Sequence, residues 1–264
     1  MKKRNVLSSP RLSELKAKRQ KVLFAKIFLS VLALTIIFTG LSYLSRIPRL
    51  NISSIEVVGN KVIDTEKIEQ VAQSNITGKY LWLFPKTNIS LYPKSKINKE
   101  LSVSFKRLKE IDISIKDNKV LEISVSEREA KYLWCETEEK CYFMDESAFI
   151  FDEAPYFSGE VYFKFYGQAN SDFIKFFTFK KTIEDMGLKP VGLSVMDTGD
   201  IKMFLSGKEK PEILLRSDAD LQKVAENLQA ALGVEPLKSE FKNKYSSLLY
   251  IDLRYGNKVY YKFR

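Results

Sequence analysis

The hydrophobic pattern divides the chain into one continuous apolar run and many short periodic ones. Residues 27–45 (IFLSVLALTIIFTGLSYLS) carry no charge. As a helix rising ~1.5 Å per residue, the run is about 28 Å long, close to the ~30 Å hydrocarbon core of a bilayer. It lacks the polar face of a buried soluble helix. It is longer than the apolar region of a usual signal peptide, and no A-x-A pattern follows it. An uncleaved transmembrane helix is therefore expected at 27–45, with a short tail at 1–26 before it.

Beyond the run the periods shorten. Ile55-Glu56-Val57-Val58 is closed by Gly59-Asn60, a strand and then a turn. Ile68, Val71, Ala72 and Ile76 fall on one helical face. Asp64 is placed to cap that helix, and Ile63 and Ile68 are placed as a hydrophobic staple. Gly78 ends the segment. The stretch 79–85 (KYLWLFP) reads as an aromatic loop, and a second helix is expected near 91–101, after Asn88 or Ser90. Ile111, Ile113 and Ile115 then alternate with polar residues, as do Leu121, Ile123 and Val125, across Asp117-Asn118-Lys119. The order is β-α-α-β-β over 52–128.

A second foldable segment spans 129–264. Aromatic-rich runs flank a polar tip between Cys135 and Cys141, then comes a strand at 161–166. A helix is expected at 171–186, with Phe173, Phe176, Phe177, Ile183 and Met186 on its apolar side and Gly187 as its stop. Strands are expected at 192–196, 201–205 and 212–215. A helix capped by Ser217 with Asp220 carries Leu221, Val224, Ala225, Leu228 and Leu232. Strands at 248–255 and 258–263 meet across Gly256-Asn257. The fold class is therefore α+β, with one transmembrane helix, a β-α-α-β-β unit and a β-rich unit with two helices.

Charge changes the picture once it is partitioned. The net charge is +10, but nine of the 43 basic residues and one of the 33 acidic ones lie in 1–26, leaving 34 against 32 beyond. The body is nearly balanced, so a phosphate-tracking surface for nucleic acid is not implied. The basic tail predicts a cytoplasmic N-terminus and an exported body, and it is suited to anionic headgroups. No histidine is present, which removes Ser-His and Cys-His pairs and most catalytic zinc sites. Asp218-Ala219-Asp220 is a D-x-D string of the kind used by metal-dependent glycosyltransferases, but acids in a first helical turn are favoured by the helix dipole alone. No catalytic, cofactor or metal residue is assigned. Cys135 and Cys141 can form a disulfide outside the cytoplasm if the strand register brings the sulfurs together.

The combination of basic tail, single anchor and β-α-α-β-β with I-x-V-x-G-N at its start resembles a POTRA domain in the FtsQ/DivIB family of bacterial cell-division proteins. Glu127-Arg128, Tyr132-Leu133-Trp134 and the hairpin through Asp145 resemble the family's next motifs, with Ser147-Ala148 where that turn has Gly and Glu129 where a Pro follows E-R. The string Tyr250-Ile251-Asp252-Leu253-Arg254-Tyr255-Gly256-Asn257-Lys258-Val259 is similar to the family's ending. The resemblance covers about residues 25–264. It implies a POTRA domain at 52–128, an FtsQ/DivIB β domain at 129–264, and a non-enzymatic, single-pass scaffold of the plasma membrane, enriched at the division septum. The implied partners are FtsB/DivIC and FtsL, with other division proteins at the POTRA domain. A C-terminal strand at a sheet edge offers unpaired backbone groups to a partner strand. The candidate contact set is Arg254, Tyr255, Val259, Tyr260, Tyr261 and Phe263. A membrane-anchored cell-wall enzyme and a POTRA protein of a translocation system are the competing readings.

Overall fold

The computed structural model describes residues 10–167, 173–196 and 198–264. The chain forms two compact units, Met1–Glu127 and Arg128–Arg264.

The first unit begins with helix α1, Pro10–Ser45. It starts well inside the basic tail rather than at residue 27, because Leu, Lys, Arg and Ala are all strong helix formers. Its segment Glu14–Ser45 is long and apolar enough to cross a membrane, and it is exposed along its length except at Ser42 and Ser45. Then follow β1 (Ser54–Val58), α2 (Thr65–Ile76), β2 (Lys79–Tyr80), β3 (Phe84–Pro85), α3 (Lys94–Ser104), β4 (Leu108–Lys116) and β5 (Val120–Glu127). The main sheet has the order β1-β5-β4, with β1 parallel and β4 antiparallel to β5. Ile68, Ala72 and Ile76 of α2 and Ile97 and Leu101 of α3 are buried with Ile113, Leu121 and Ile123. Each buried Ile or Leu contributes about 1.5–3 kcal/mol of transfer free energy. Gly59 is required at the end of β1, because its φ is +91° and an added Cβ would lie 2.2 Å from the Val125 carbonyl oxygen.

Three local expectations change here. Asp64 occupies the cap position of α2 without a side-chain cap; its carboxylate pairs with Lys67 at 2.9 Å instead. Helix α3 starts at Lys94, not near 91, because Pro93 disfavours helical geometry at Tyr92. The aromatic stretch 79–85 is a small antiparallel hairpin, β2 with β3, rather than an irregular loop.

The second unit runs β6 (Tyr132–Cys135), β7 (Cys141–Met144), β8 (Ile150–Ala154), β9 (Phe163–Tyr166), α4 (Phe173–Asp185), β10 (Pro190–Val195), β11 (Asp200–Leu205), β12 (Glu212–Arg216), α5 (Leu221–Gly233), α6 (Leu237–Lys244), β13 (Leu248–Tyr255) and β14 (Lys258–Phe263). Its strands form one nine-stranded sheet, β14-β13-β12-β11-β10-β9-β6-β7-β8. Helical crossovers join β9 to β10 and β12 to β13; β10 lies parallel to β9 and β13 parallel to β12. Residues of α4 and α5 share one core with Phe165, Leu193, Met203, Ile213 and Ile251. Phe173, Phe176 and Phe179 are core residues of that layer. Strand alternation places Leu133 and Cys135 on the opposite face from Tyr132 and Trp134. There they form a second, smaller core with Cys141 and Ala154 under Phe157 and Tyr162.

The expected start of α4 at Ser171 lies outside the described residues. Ser217 does not cap α5; Asp220 does so alone, accepting from the amides of Gln222 and Lys223 at 3.0 and 3.3 Å. Helix α6 was not expected. Leu237 is its one buried side chain, so its apolar stripe is too thin to read.

Candidate partner-binding edge

Strand β14 is the last strand of the nine-stranded sheet, hydrogen-bonded to β13 on one side only among the described residues. Its neighbour is held from within by the Asp252-Leu253-Arg254 stretch. Arg254 donates from Nε and Nη2 to the two carboxylate oxygens of Asp252, at 2.9 and 2.7 Å, and from Nη1 to Asp200 Oδ2 at 2.7 Å. Asp200 opens β11, so the guanidinium ties β13 to a strand two places away. A bidentate pair with a third charged contact is the strong form of this interaction. Burial pushes the Asp252 carboxyl up, and the hydrogen bonds from Arg254 outweigh it, so the group sits below the ordinary aspartate range. The same bonds raise Arg254 further. Arg254 is therefore a positioning residue for the terminal hairpin, with its charge already engaged.

The other candidate residues divide by face. Val259, Tyr261 and Phe263 are half-buried and pack against the helix-side core. Tyr255 and Tyr260 are 58% and 48% exposed, and their rings meet edge to face at 5.4 Å. Tyr255 and Phe263 lie at opposite ends of the hairpin: Tyr255 pairs with Lys258 and Phe263 with Leu248. Lys258 and Lys262 are exposed on this strand, and Arg264 pairs with Glu209 at 3.0 Å. The edge thus combines unpaired backbone, a partly covered apolar row, an exposed tyrosine pair and positive charge.

The remaining sequence candidates have structural partners. Cys135 and Cys141 face each other in the β6–β7 register and are joined as a disulfide. Asp218 pairs with Arg216 while Asp220 caps α5, so the two acids of the D-x-D string point to different tasks. Glu127 and Arg128 also part. Glu127 accepts the amides of Lys61, Val62 and Ile63 at 2.8–3.1 Å. Burial pushes its carboxyl up, but those amides and the charge of Arg107 hold it below the ordinary range. Arg128 donates to buried Asp145 at 2.6 Å. Asp145 also accepts from Ser147 and Phe149, which folds the turn whose left-handed position is Ala148, φ +63°.

On the helix-free face of the second unit, Glu138, Tyr162, Lys164, Tyr166, Gly192 and Phe204 line a cleft of about 540 Å³. Its lining mixes aromatic rings with the opposite charges of Glu138 and Lys164. No such site was read from the sequence, because strand order alone brings β9, β10 and β11 together.

No protein-family model matches this chain, and no curated protein is significantly similar to it.

Proposed function

We propose that this protein is a non-enzymatic, single-pass membrane scaffold of the FtsQ/DivIB kind, which binds FtsB/DivIC-type and FtsL-type division proteins to support septal peptidoglycan synthesis. The free edge of β14 carries the reading. A partner segment adding as a strand there satisfies the outward backbone groups, covers the half-buried Val259, Tyr261 and Phe263 on one face, and meets Tyr260 and Tyr255 on the other. Lys258 and Lys262 favour an acidic partner segment and discourage pairing of the edge with itself. Arg254 holds β13, and through it β14, in place.

Two further features support the family reading. The three-stranded order β1-β5-β4, with α2 and α3 sharing its core, is compatible with a POTRA domain that docks other division proteins. Helix α1, with its basic start, is suited to an inner-membrane anchor with a cytoplasmic N-terminus. Confinement to the membrane raises the effective concentration of partners held in the same bilayer.

Tyr255→Asp with Tyr260→Asp changes two exposed residues and is expected to leave the fold intact. Full-length protein in detergent carrying both changes is predicted to lose capture of the FtsB/DivIC-type partner in a pull-down. Undiminished capture by the folded double variant would overturn edge binding. Normal septation in depleted cells would remove the division role itself.

A further inference from the structure

The β2–β3 hairpin carries its most exposed apolar groups at its tip. Leu81 is 76% exposed and Trp82 is 90% exposed. Both have positive φ, +48° and +59°, and the Leu83 amide closes the turn onto the Tyr80 carbonyl at 3.0 Å. Two consecutive left-handed residues are the signature of turns that prefer Asn-Gly. Each side-chain-bearing residue there is strained by Cβ against the backbone. The sequence therefore accepts strain in order to hold a leucine and a tryptophan outward.

The tip is fastened to the end of α1. Ser42 Oγ donates to the Leu83 carbonyl at 3.0 Å, and Arg46 Nη2 reaches the same oxygen at 3.3 Å. The Ser45 carbonyl accepts from Asn51 and Asn88 at 2.9 and 3.0 Å. Ser42 and Ser45 are buried by these contacts, although most of the helix before them is bare. Ser42 lies within the uncharged run, one turn before its end. The tip is thus level with the last apolar turn of the helix, beside the exposed Tyr43 and Leu44 and the cations Arg46, Lys79 and Lys86, with Lys86 set 5.7 Å from the Tyr80 ring. Tryptophan and tyrosine with flanking cations are the residues that settle at a membrane–water interface.

We infer that the Leu81-Trp82 tip inserts into the headgroup–acyl boundary of the bilayer that α1 crosses. It forms a second membrane contact that fixes the tilt of the first unit on the surface. The inference rests on reading α1 as a membrane span. The occupant is lipid because the tip is held at lipid depth by the span itself, on the side where the apolar run meets its first cation.

The test uses full-length protein in phosphatidylethanolamine–phosphatidylglycerol vesicles containing lipids brominated at defined depths. Trp134→Phe leaves Trp82 as the single tryptophan of the chain. The expected result is blue-shifted Trp82 emission, lost most strongly to bromines near the top of the acyl chains. A companion variant with Trp82→Phe, Trp134→Phe and Leu34→Trp reports the middle of the span and should be quenched by bromines near the bilayer centre. If the Leu34→Trp probe is quenched while Trp82 remains water-like, the tip contact is wrong and the span stands. If neither probe is quenched, the span reading fails. Blue-shifted Trp82 emission that no bromolipid quenches would place the tip against protein instead, and would also overturn the inference.

Discussion

Two hairpins of this chain present exposed aromatic rings, and they are built in opposite ways. The β13–β14 hairpin turns through Gly256, whose positive φ costs a glycine little, and its rings stand on a strand braced by Arg254, Asp252 and Asp200. The β2–β3 hairpin turns through Leu81 and Trp82 in conformations that suit glycine or asparagine, and it is braced by the end of α1. In the first, a glycine turn and a charged clamp brace the bulged strand β13 that supports the sheet edge. In the second, the tip sequence departs from the best turn chemistry, and what it gains is apolar surface at one depth. An exposed aromatic is thus read by what holds it: a sheet edge suits backbone recognition, and a strained tip beside the end of a long apolar helix suits lipid.

The largest effect on that contrast comes from removing the clamp. Arg254→Ala leaves Asp252 buried without its partner and is expected to cost about 2–3 kcal/mol of stability in the second unit. Urea unfolding with an unchanged slope would read this as a lower midpoint. Asp252 gives the clamp a pH signature, and Asp145, paired with Arg128 elsewhere in the second unit, adds one of the same sign. Asp252 and Asp145 are held below the ordinary aspartate range, so their stabilisation is complete above that range and is lost as pH falls through their lowered values. Asp252→Asn should flatten part of this acid dependence; a profile identical to the parent would assign the clamp no role.

A smaller effect of opposite sign is expected at the other hairpin. Leu81→Asn with Trp82→Gly supplies the residues the turn prefers and should stabilise the first unit by about 1–2 kcal/mol, read as a higher urea midpoint. Loss of stability in that variant would show that the two side chains pack within the protein. The smallest effect is Trp82→Ser, which should change unfolding in detergent by less than about 0.5 kcal/mol and leave partner capture untouched.

Much of the fold was legible in the pattern. Ile111, Ile113 and Ile115 alternate, and Ile68, Ala72 and Ile76 share a helical face, because each element buries one side. The last strand and its Gly256-Asn257 turn were equally plain. What stayed hidden depends on partners distant in sequence. Arg254 reads as an exposed cation until Asp200 arrives 54 residues away in the chain. The position of β14 at a sheet end follows from the parallel pairing of β12 with β13, which no local pattern specifies. The Leu81-Trp82 turn was unreadable because it breaks the turn-residue rule on which such readings rest.

The proposed strand addition at β14 is most directly tested by residue-resolved amide exchange on the full-length protein with and without the proposed FtsB/DivIC-type partner. The outward amides of Lys258–Phe263, alternating along the strand, should exchange fast alone and become protected when the partner binds. Partner binding that leaves all β14 amides exchanging as before would contradict the account.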